Sequence, residues 1–329
     1  MPPQLFDRYG RGHDDLRISV TDRCNFRCFY CMPEEGMNWL PHKEILTYEE
    51  IARLVRITTE LGFVSYHLTG GEPLLRKDLD VLIRMMREIQ PDMDLALTTN
   101  GVSLPQMAER LFAAGLRRVN ISLDTLDAQK FYLITRRDMY GQVMEGIEAA
   151  ARAGFEPIKI NVVAVRGLSE PDLPAFAEWA RDTGHIVRFI EYMPLDADRS
   201  WEREKVLPAE EILKGLSGPA GLKLVSGHPS DPATRYRYED GKGEVGIIAS
   251  VTRPFCETCN RIRLTADGMM RTCLFSTVEH DIKALLRGDA DDEEIKTWLA
   301  KMVLTKTPGH LIGQKEFVQP DRTMSAIGG

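Results

Sequence analysis

"LRISVTDRCNFRCFYC", residues 16–31, begins as a strand pattern and ends in three cysteines, Cys24, Cys28 and Cys31, spaced C-x3-C-x2-C. Leu16, Ile18 and Val20 alternate with Arg17 and Ser19, the two-residue period of a strand with one buried face. The thiols therefore fall on a loop at the strand's carboxyl end, where α/β barrels gather their chemistry. Three thiolates are one short of the four ligands that close a metal site, so what matters next is which other loops arrive at the same place.

Working outward, further strand patterns occupy 63–69, 94–99, 118–123, 158–165 and 187–192. Between them lie helical patterns: one over 47–62, with Thr47 and Glu50 as a capping box and Gly62 as its stop, and others near 78–90, 105–114, 139–153 and 172–182. Six strands separated by helices predict a parallel sheet with helices outside it. The unusual residues all sit at strand ends: the cysteine loop after the first, "GGEP" after the second, Thr98 to Gly101 after the third, Ser122 and Asp124 after the fourth, Met193 after the sixth. That convergence predicts an α/β fold built on an incomplete (β/α)6 TIM-like barrel. No G-x-G-x-x-G opens a helix after a strand, which lowers a dinucleotide-binding sheet.

After about residue 195 the rhythm is lost, and residues 217–234, rich in Gly, Pro and Ser, read as irregular connection. Strand-like pieces at 234–239 and 244–250, a hairpin turning at Asp267-Gly268 between "RIRLTA" and "MMRTCLF", and helical patterns near 279–287 and 291–304 predict a C-terminal α+β extension. The expected division is residues 1–230 for the barrel and 231–329 for the extension. The extension carries a second triad, Cys256, Cys259 and Cys273, spaced C-x2-C-x13-C.

All six cysteines thus belong to two triads, in a chain whose first residues show no apolar leader. That usage reads as metal chemistry in a reducing, cytoplasmic setting rather than as scattered disulfides. The formal charge of -7 argues against a nucleic-acid surface, and no run of about 18 apolar residues marks a membrane span. An anionic ligand must be met by a local basic pocket. Two metal readings stand for each triad. Zinc would need a fourth ligand, His13 or His42 for the first and His280 for the second. A four-iron cubane on three thiolates instead keeps one iron open to an external molecule; at the first triad S-adenosylmethionine can chelate it, and at the second a substrate with a nitrogen or oxygen donor.

The cysteine triad with Tyr30 before its third cysteine, together with "GGEP", resembles the radical S-adenosylmethionine superfamily. In order along the chain, "DLRISVTDRCNFRCFYCMP", "LTGGEPLLR", "LTTNG", "VNISLDTLD", "IKINVV", "RFIEYMP", "FCETCNRIRLTADG" and the terminal Gly328-Gly329 resemble the GTP 3′,8-cyclase family of molybdenum cofactor biosynthesis from about Asp14 onward. The resemblance implies a lyase in which S-adenosylmethionine cleavage starts removal of hydrogen from C3′ of the GTP ribose and closure onto C8 of guanine. It implies two 4Fe-4S clusters, on Cys24/Cys28/Cys31 and Cys256/Cys259/Cys273, the second in the extension. It further implies Tyr30, Gly71, Ser122 and Met193 around S-adenosylmethionine; Arg17, Thr98, Lys159, Arg261 and Arg263 around GTP; and a Gly-Gly tail reaching the active site. Arg17, Arg261 and Arg263 are expected to orient and neutralise the substrate.

The residues support the basic set independently. No G-x-x-x-x-G-K-[ST] loop is present, so side chains must neutralise a triphosphate, and Arg261 and Arg263, two apart on a strand, face one side. The chain departs from the family in having Ser65, Tyr66 and His67 before "TGGEP" where basic residues are usual; His67 is a weak GTP candidate that donates best when protonated. Two other readings stay open: a radical enzyme with an auxiliary cluster acting on a peptide or another nucleotide, and a zinc-binding scaffold. Expected partners are GTP, an external electron donor and, by metabolic logic, cyclic pyranopterin monophosphate synthase, with the chain a monomer or homodimer.

Overall fold

The computed structural model describes residues 4–218 and 221–328. All six expected strands form: β1 Asp15–Ser19, β2 Ser65–Thr69, β3 Asp94–Thr99, β4 Arg118–Ser122, β5 Ile158–Ala164 and β6 Ile186–Glu191. They pair in parallel in that order. The helices are α1 Tyr48–Glu60, α2 Leu79–Ile89, α3 Leu104–Ala113, α4 Ala128–Thr135, α5 Tyr140–Arg152 and α6 Leu173–Thr183. The capping box of α1 forms as read: Glu50 N donates to Thr47 Oγ1 at 3.2 Å and Thr47 N to a Glu50 carboxylate oxygen at 2.7 Å. The eight-residue α4 was not legible, because its buried positions are only Phe131, Ile134 and Thr135; tertiary packing stabilises so short a helix.

In the C-terminal third a helix, α7 Ala209–Ser217, precedes the stretch read as irregular, and that stretch holds a strand, β7 Leu222–Val225. Then come β8 Thr234–Tyr238, β9 Glu244–Ile248, β10 Arg261–Leu264, β11 Met269–Arg271 and β12 His280–Asp281, followed by α8 Lys283–Arg287 and α9 Asp292–Val303. The expected Asp267-Gly268 turn joins β10 to β11, with Gly268 at φ +80°. Two of these strands extend the barrel itself. β9 pairs in parallel with β6, and β10 in parallel with β1. Among the described residues one sheet of twelve strands results, ordered β12-β11-β10-β1-β2-β3-β4-β5-β6-β9-β8-β7, and its two ends do not pair. An open six-stranded sheet has two bare edges; the extension covers both, so eight strands run parallel where six were expected.

Alternation along these strands decides what the barrel contains. Leu16, Ile18, Leu68, Ile160, Val187 and Phe189 point outward into the helix layer and are buried. The intervening residues point inward and are mostly polar, Arg17, His67, Asn120, Lys159 and Arg188 among them. The lumen is therefore not filled by layers of branched apolar side chains, as a closed eight-stranded barrel would be. It is a cavity of about 780 Å³.

Candidate active site

The first triad is fastened to the top of the lumen by three elements. Cys31 N and Met32 N both donate to Cys28 O at 2.9 Å, which makes a tight turn of the second and third cysteines. The last carbonyls of α4 accept from the loop: Thr135 O from Arg27 N at 2.9 Å and Ile134 O from Phe29 N at 3.1 Å. Phe26 meets Phe131 edge-on at 5.6 Å. On the other side, Gly71 N donates to Thr21 O at 2.8 Å and Glu72 N to Arg23 O at 2.7 Å. A Cβ on Gly70 would stand 2.5 Å from Thr21 O, and one on Gly71 2.4 Å from Arg23 O. The two glycines are thus required for close approach of β2's end to the cysteine loop.

Glu72 completes that junction. Its buried carboxylate accepts from Leu74 N at 3.0 Å, Thr99 Oγ1 at 2.7 Å and Asn100 N at 2.6 Å, tying "GGEP" to "TTNG". Burial raises its pKa to about 7. Tyr30 donates its hydroxyl to Asp124 Oδ2 at 2.6 Å, while Val163 N donates to Asp124 Oδ1 at 2.8 Å; burial lifts this carboxyl to about 6. The thiols in this setting are held protonated. Burial, then Glu72, pushes Cys24 up to about 12, and burial pushes Cys31 up to about 11.

The second triad sits at the opposite end. Cys259 lies two residues before Arg261, whose register partner is Asp15, the first residue of β1. The first triad follows the last residue of the same strand, so the two are separated by a five-residue strand of roughly 16 Å. Cys259 N donates to Cys256 O at 3.2 Å. The buried Arg11 holds this turn from outside, donating to Cys256 O at 2.8 Å, Pro308 O at 2.9 Å and Thr307 O at 2.7 Å. Burial would raise Cys259, but Lys306 and then Arg261 overcome it and bring the thiol down to about 6.

All six cysteines line the one cavity. Among the described residues no three His, Cys, Asp or Glu side chains already stand at metal-ligand spacing. The donor set fits iron-sulfur ligation, three thiolates per site. The zinc candidates do not join it. His13 is fully buried against Asp7 at 3.2 Å, and His280 bonds Thr305 Oγ1 at 3.2 Å and packs edge-on to Trp298. Neither they nor His42 line the cavity.

Between the triads lies a cationic middle. Arg17, Lys159, Arg261 and Arg263 all face it, and so does Arg188, which sequence reasoning missed. Arg188 donates to Asn120 Oδ1 at 2.7 Å and Asn161 Oδ1 at 3.1 Å. Among the described residues Lys159, Arg188, Arg261 and Arg263 have no carboxylate within 4.0 Å, while Arg17 has Asp15 at 4.0 Å. Burial and mutual repulsion lower Lys159 to about 8, with Arg188 the first neighbouring cation, and Arg263 to about 9, with Arg17 the first. A cluster of cations in one cavity, four of the five without a carboxylate partner among the described residues, suits a multiply charged anion. Thr98 also faces the lumen, as do Ser122 and Met193 nearer the first triad.

His67 also lines the lumen. Its Nε2 lies 2.5 Å from Thr98 Oγ1 and 3.2 Å from Asn120 Nδ2. Burial and then Arg17 and Arg188 hold it well below the ordinary imidazole range, which favours the neutral form over the protonated donor expected. The tail enters the same lumen. Arg263 donates to Gly328 O at 2.6 Å, and a Cβ on Gly328 would meet Ser19 Cβ at 2.9 Å and Thr69 Cγ2 at 3.0 Å. Gly329 lies outside the described residues.

Residues 18–180 match the radical SAM superfamily and 185–312 the family described as Molybdenum Cofactor Synthesis C. The chain is 48% identical over 328 residues to the GTP 3′,8-cyclase of Streptomyces coelicolor, covering 99% of this chain and 96% of that one. The chain belongs to the GTP 3′,8-cyclase family. The GTP 3′,8-cyclase of Rhodopirellula baltica is 47% identical over 333 residues, covering 100% and 93% of the two chains. Among solved structures, Streptococcus suis SuiB bound to S-adenosylmethionine shares the fold at TM-score 0.56 and 13% identity, over 97% of this chain and 77% of that one. Native anSMEcpe with bound AdoMet does so at TM-score 0.56 and 17% identity, over 89% and 84%. The fold expected of a radical S-adenosylmethionine enzyme, an incomplete TIM-like barrel, is the one present.

Proposed function

We propose that the lumen binds S-adenosylmethionine at its first-triad end and GTP between the two triads, with a 4Fe-4S cluster on Cys24, Cys28 and Cys31 and a second on Cys256, Cys259 and Cys273. As a GTP 3′,8-cyclase, the enzyme converts GTP to the 3′,8-cyclised nucleotide in the first step of molybdenum cofactor biosynthesis. Its clusters and S-adenosylmethionine, when bound, supply the electron and the radical chemistry. The observation that carries the site assignment is one cavity lined by both triads, with cations between them that mostly have no carboxylate partner among the described residues.

In this reading Tyr30, Gly71, Ser122 and Met193 surround S-adenosylmethionine. Gly71 brings backbone to the cofactor while locking the cysteine loop, and Tyr30 is oriented by Asp124. Arg17, Arg188, Lys159, Arg261 and Arg263 neutralise and orient the triphosphate. Thr98 donates at the same face, and neutral His67 shapes the floor through Thr98. Arg263 also holds the tail through Gly328 O, so substrate and tail share one guanidinium. Residues 1–230 then form the partial barrel that holds the cofactor and part of the cationic middle, while 231–329 add the second cluster, Arg261, Arg263 and the tail. We read an external reductant as electron donor, cyclic pyranopterin monophosphate synthase as the next enzyme, and a cytoplasmic monomer or homodimer. No helix of the described residues is long and apolar enough to cross a membrane.

The test is an anaerobic assay of reconstituted, reduced enzyme with S-adenosylmethionine and GTP, quantifying 5′-deoxyadenosine and cyclised nucleotide together. Equal formation is expected. Cleavage of S-adenosylmethionine with GTP left intact would overturn the substrate assignment.

A further inference from the structure

Lys306 is buried to 3% exposure, and none of the roles above uses it. It follows α9 in the chain, and its ammonium donates to Arg261 O at 2.7 Å and reaches Cys259 Sγ at 3.5 Å. Among the described residues no carboxylate lies within 4.0 Å of it. The nearby Asp7 is engaged by Arg11 at 2.6 Å and by His13 at 3.2 Å. Arg11 and Arg261 add like charge to the surroundings. A buried ammonium needs a counter-charge, and among the described residues the acceptors it meets are a carbonyl and the sulfur of the second triad.

We propose that Lys306 is a positioning residue of the second cluster site: its buried ammonium supplies the counter-charge of the thiolate set, donates to Cys259 sulfur, and raises the reduction potential of the cluster held there. The proposal rests on the assignment of Cys256, Cys259 and Cys273 as cluster ligands. The physical reason is that reduction adds negative charge to cluster and sulfurs. A fixed cation and a hydrogen bond at one sulfur favour that state, since net charge and hydrogen bonds to sulfur set such potentials. Arg11 holds the Cys256 backbone and Lys306 faces the Cys259 sulfur, so the two cations have separate tasks.

The experiment uses the full-length chain carrying Cys24→Ala, Cys28→Ala and Cys31→Ala, so that only the second triad holds a cluster. Iron and acid-labile sulfide are counted, and the midpoint potential is read by redox titration followed by electron paramagnetic resonance. Lys306→Met is expected to lower the ratio of reduced to oxidised cluster about tenfold at fixed potential, a shift of about 59 mV for one electron. Lys306→Arg, which keeps charge and donor, is expected to restore most of it. A Lys306→Met protein with full iron and sulfide and an unchanged potential overturns the proposal while leaving the cluster assignment intact. A parent without iron or sulfide removes the cluster assignment, and the proposal with it. Should Lys306→Met fail to fold or to hold a cluster, Lys306→Gln and Lys306→Arg carry the comparison: a lower potential in Gln than in Arg supports the counter-charge, and equal potentials overturn it.

Discussion

The two ends of the lumen bind sulfur ligands in opposite electrostatic settings. At the first triad, Glu72 and Asp124 are buried beside the cysteines and the thiols are driven toward protonation, Cys24 to about 12. At the second, Lys306 and Arg261 bring Cys259 down to about 6. The first loop is held by backbone bonds to Thr21, Arg23 and α4, while the second adds to its own Cys259–Cys256 turn two cations, Arg11 on the Cys256 carbonyl and Lys306 on the Cys259 sulfur. In the proposed assignment, the site that admits the positively charged sulfonium of S-adenosylmethionine is well served by neighbouring carboxylates, and the site beside the triphosphate by arginines and lysines. The same donor set, three thiols on a short turn, would then take different partners because of the charges around it.

The sharpest way to break this comparison is to remove one ligand from each end. Cys28→Ser is expected to abolish 5′-deoxyadenosine formation. Cys259→Ser is expected to keep S-adenosylmethionine cleavage while abolishing the cyclised nucleotide, both read by chromatography. Loss of cleavage in both would show that the ends are not independent. Next in size, Arg188→Ala removes a charge-assisted donor from the cationic middle, and KM for GTP should rise roughly 10- to 100-fold with S-adenosylmethionine binding unchanged. Gly328→Val forces a side chain into Ser19 and Thr69 at φ +86°; turnover should fall about tenfold, with the melting temperature little changed.

Glu72 sharpens the acidic end. Its folded pKa, about 7, is raised above the ordinary 4.5. Its contribution to stability is therefore fully present below pH 4.5 and is lost as pH rises through 7. Thermal unfolding should show wild type losing up to about 3 kcal/mol relative to Glu72→Gln between pH 5 and pH 8. A gap that widens in favour of wild type would reverse the sign and the assignment. The smallest effect belongs to His67. Because it is neutral and bonds Thr98 rather than standing as a cation, His67→Gln should change KM for GTP less than about fivefold and add no ionisation to the pH profile between 5.5 and 8.

Much of the site was legible because its signals are local. The spacing of each cysteine triad, the two-residue alternation of Arg261 and Arg263 and the strand-end placement of "GGEP" need only a few neighbouring residues. Arg188 was also within reach, as a single cation between Ile186 and Ile190 on an apolar strand, yet periodicity does not say which face meets a lumen. Glu72 was quoted only as part of a motif, and nothing in "KTPGH" distinguishes Lys306 from a surface lysine. Their roles come from what packs against them. Helix α4 and strand β7 were missed because short elements carry too few periodic positions.

Sequence by itself determined the six strand-helix units, the two metal-binding triads and the family, since alternation, spacing and ordered motifs are properties of the chain alone. Tertiary structure decided the rest. It joined β9 and β10 to the barrel edges, which places one triad at each end of a common lumen, since bare strand edges need partners. It left cations unpaired in the middle and made His67 neutral, because charge and desolvation depend on neighbours from eight different strands.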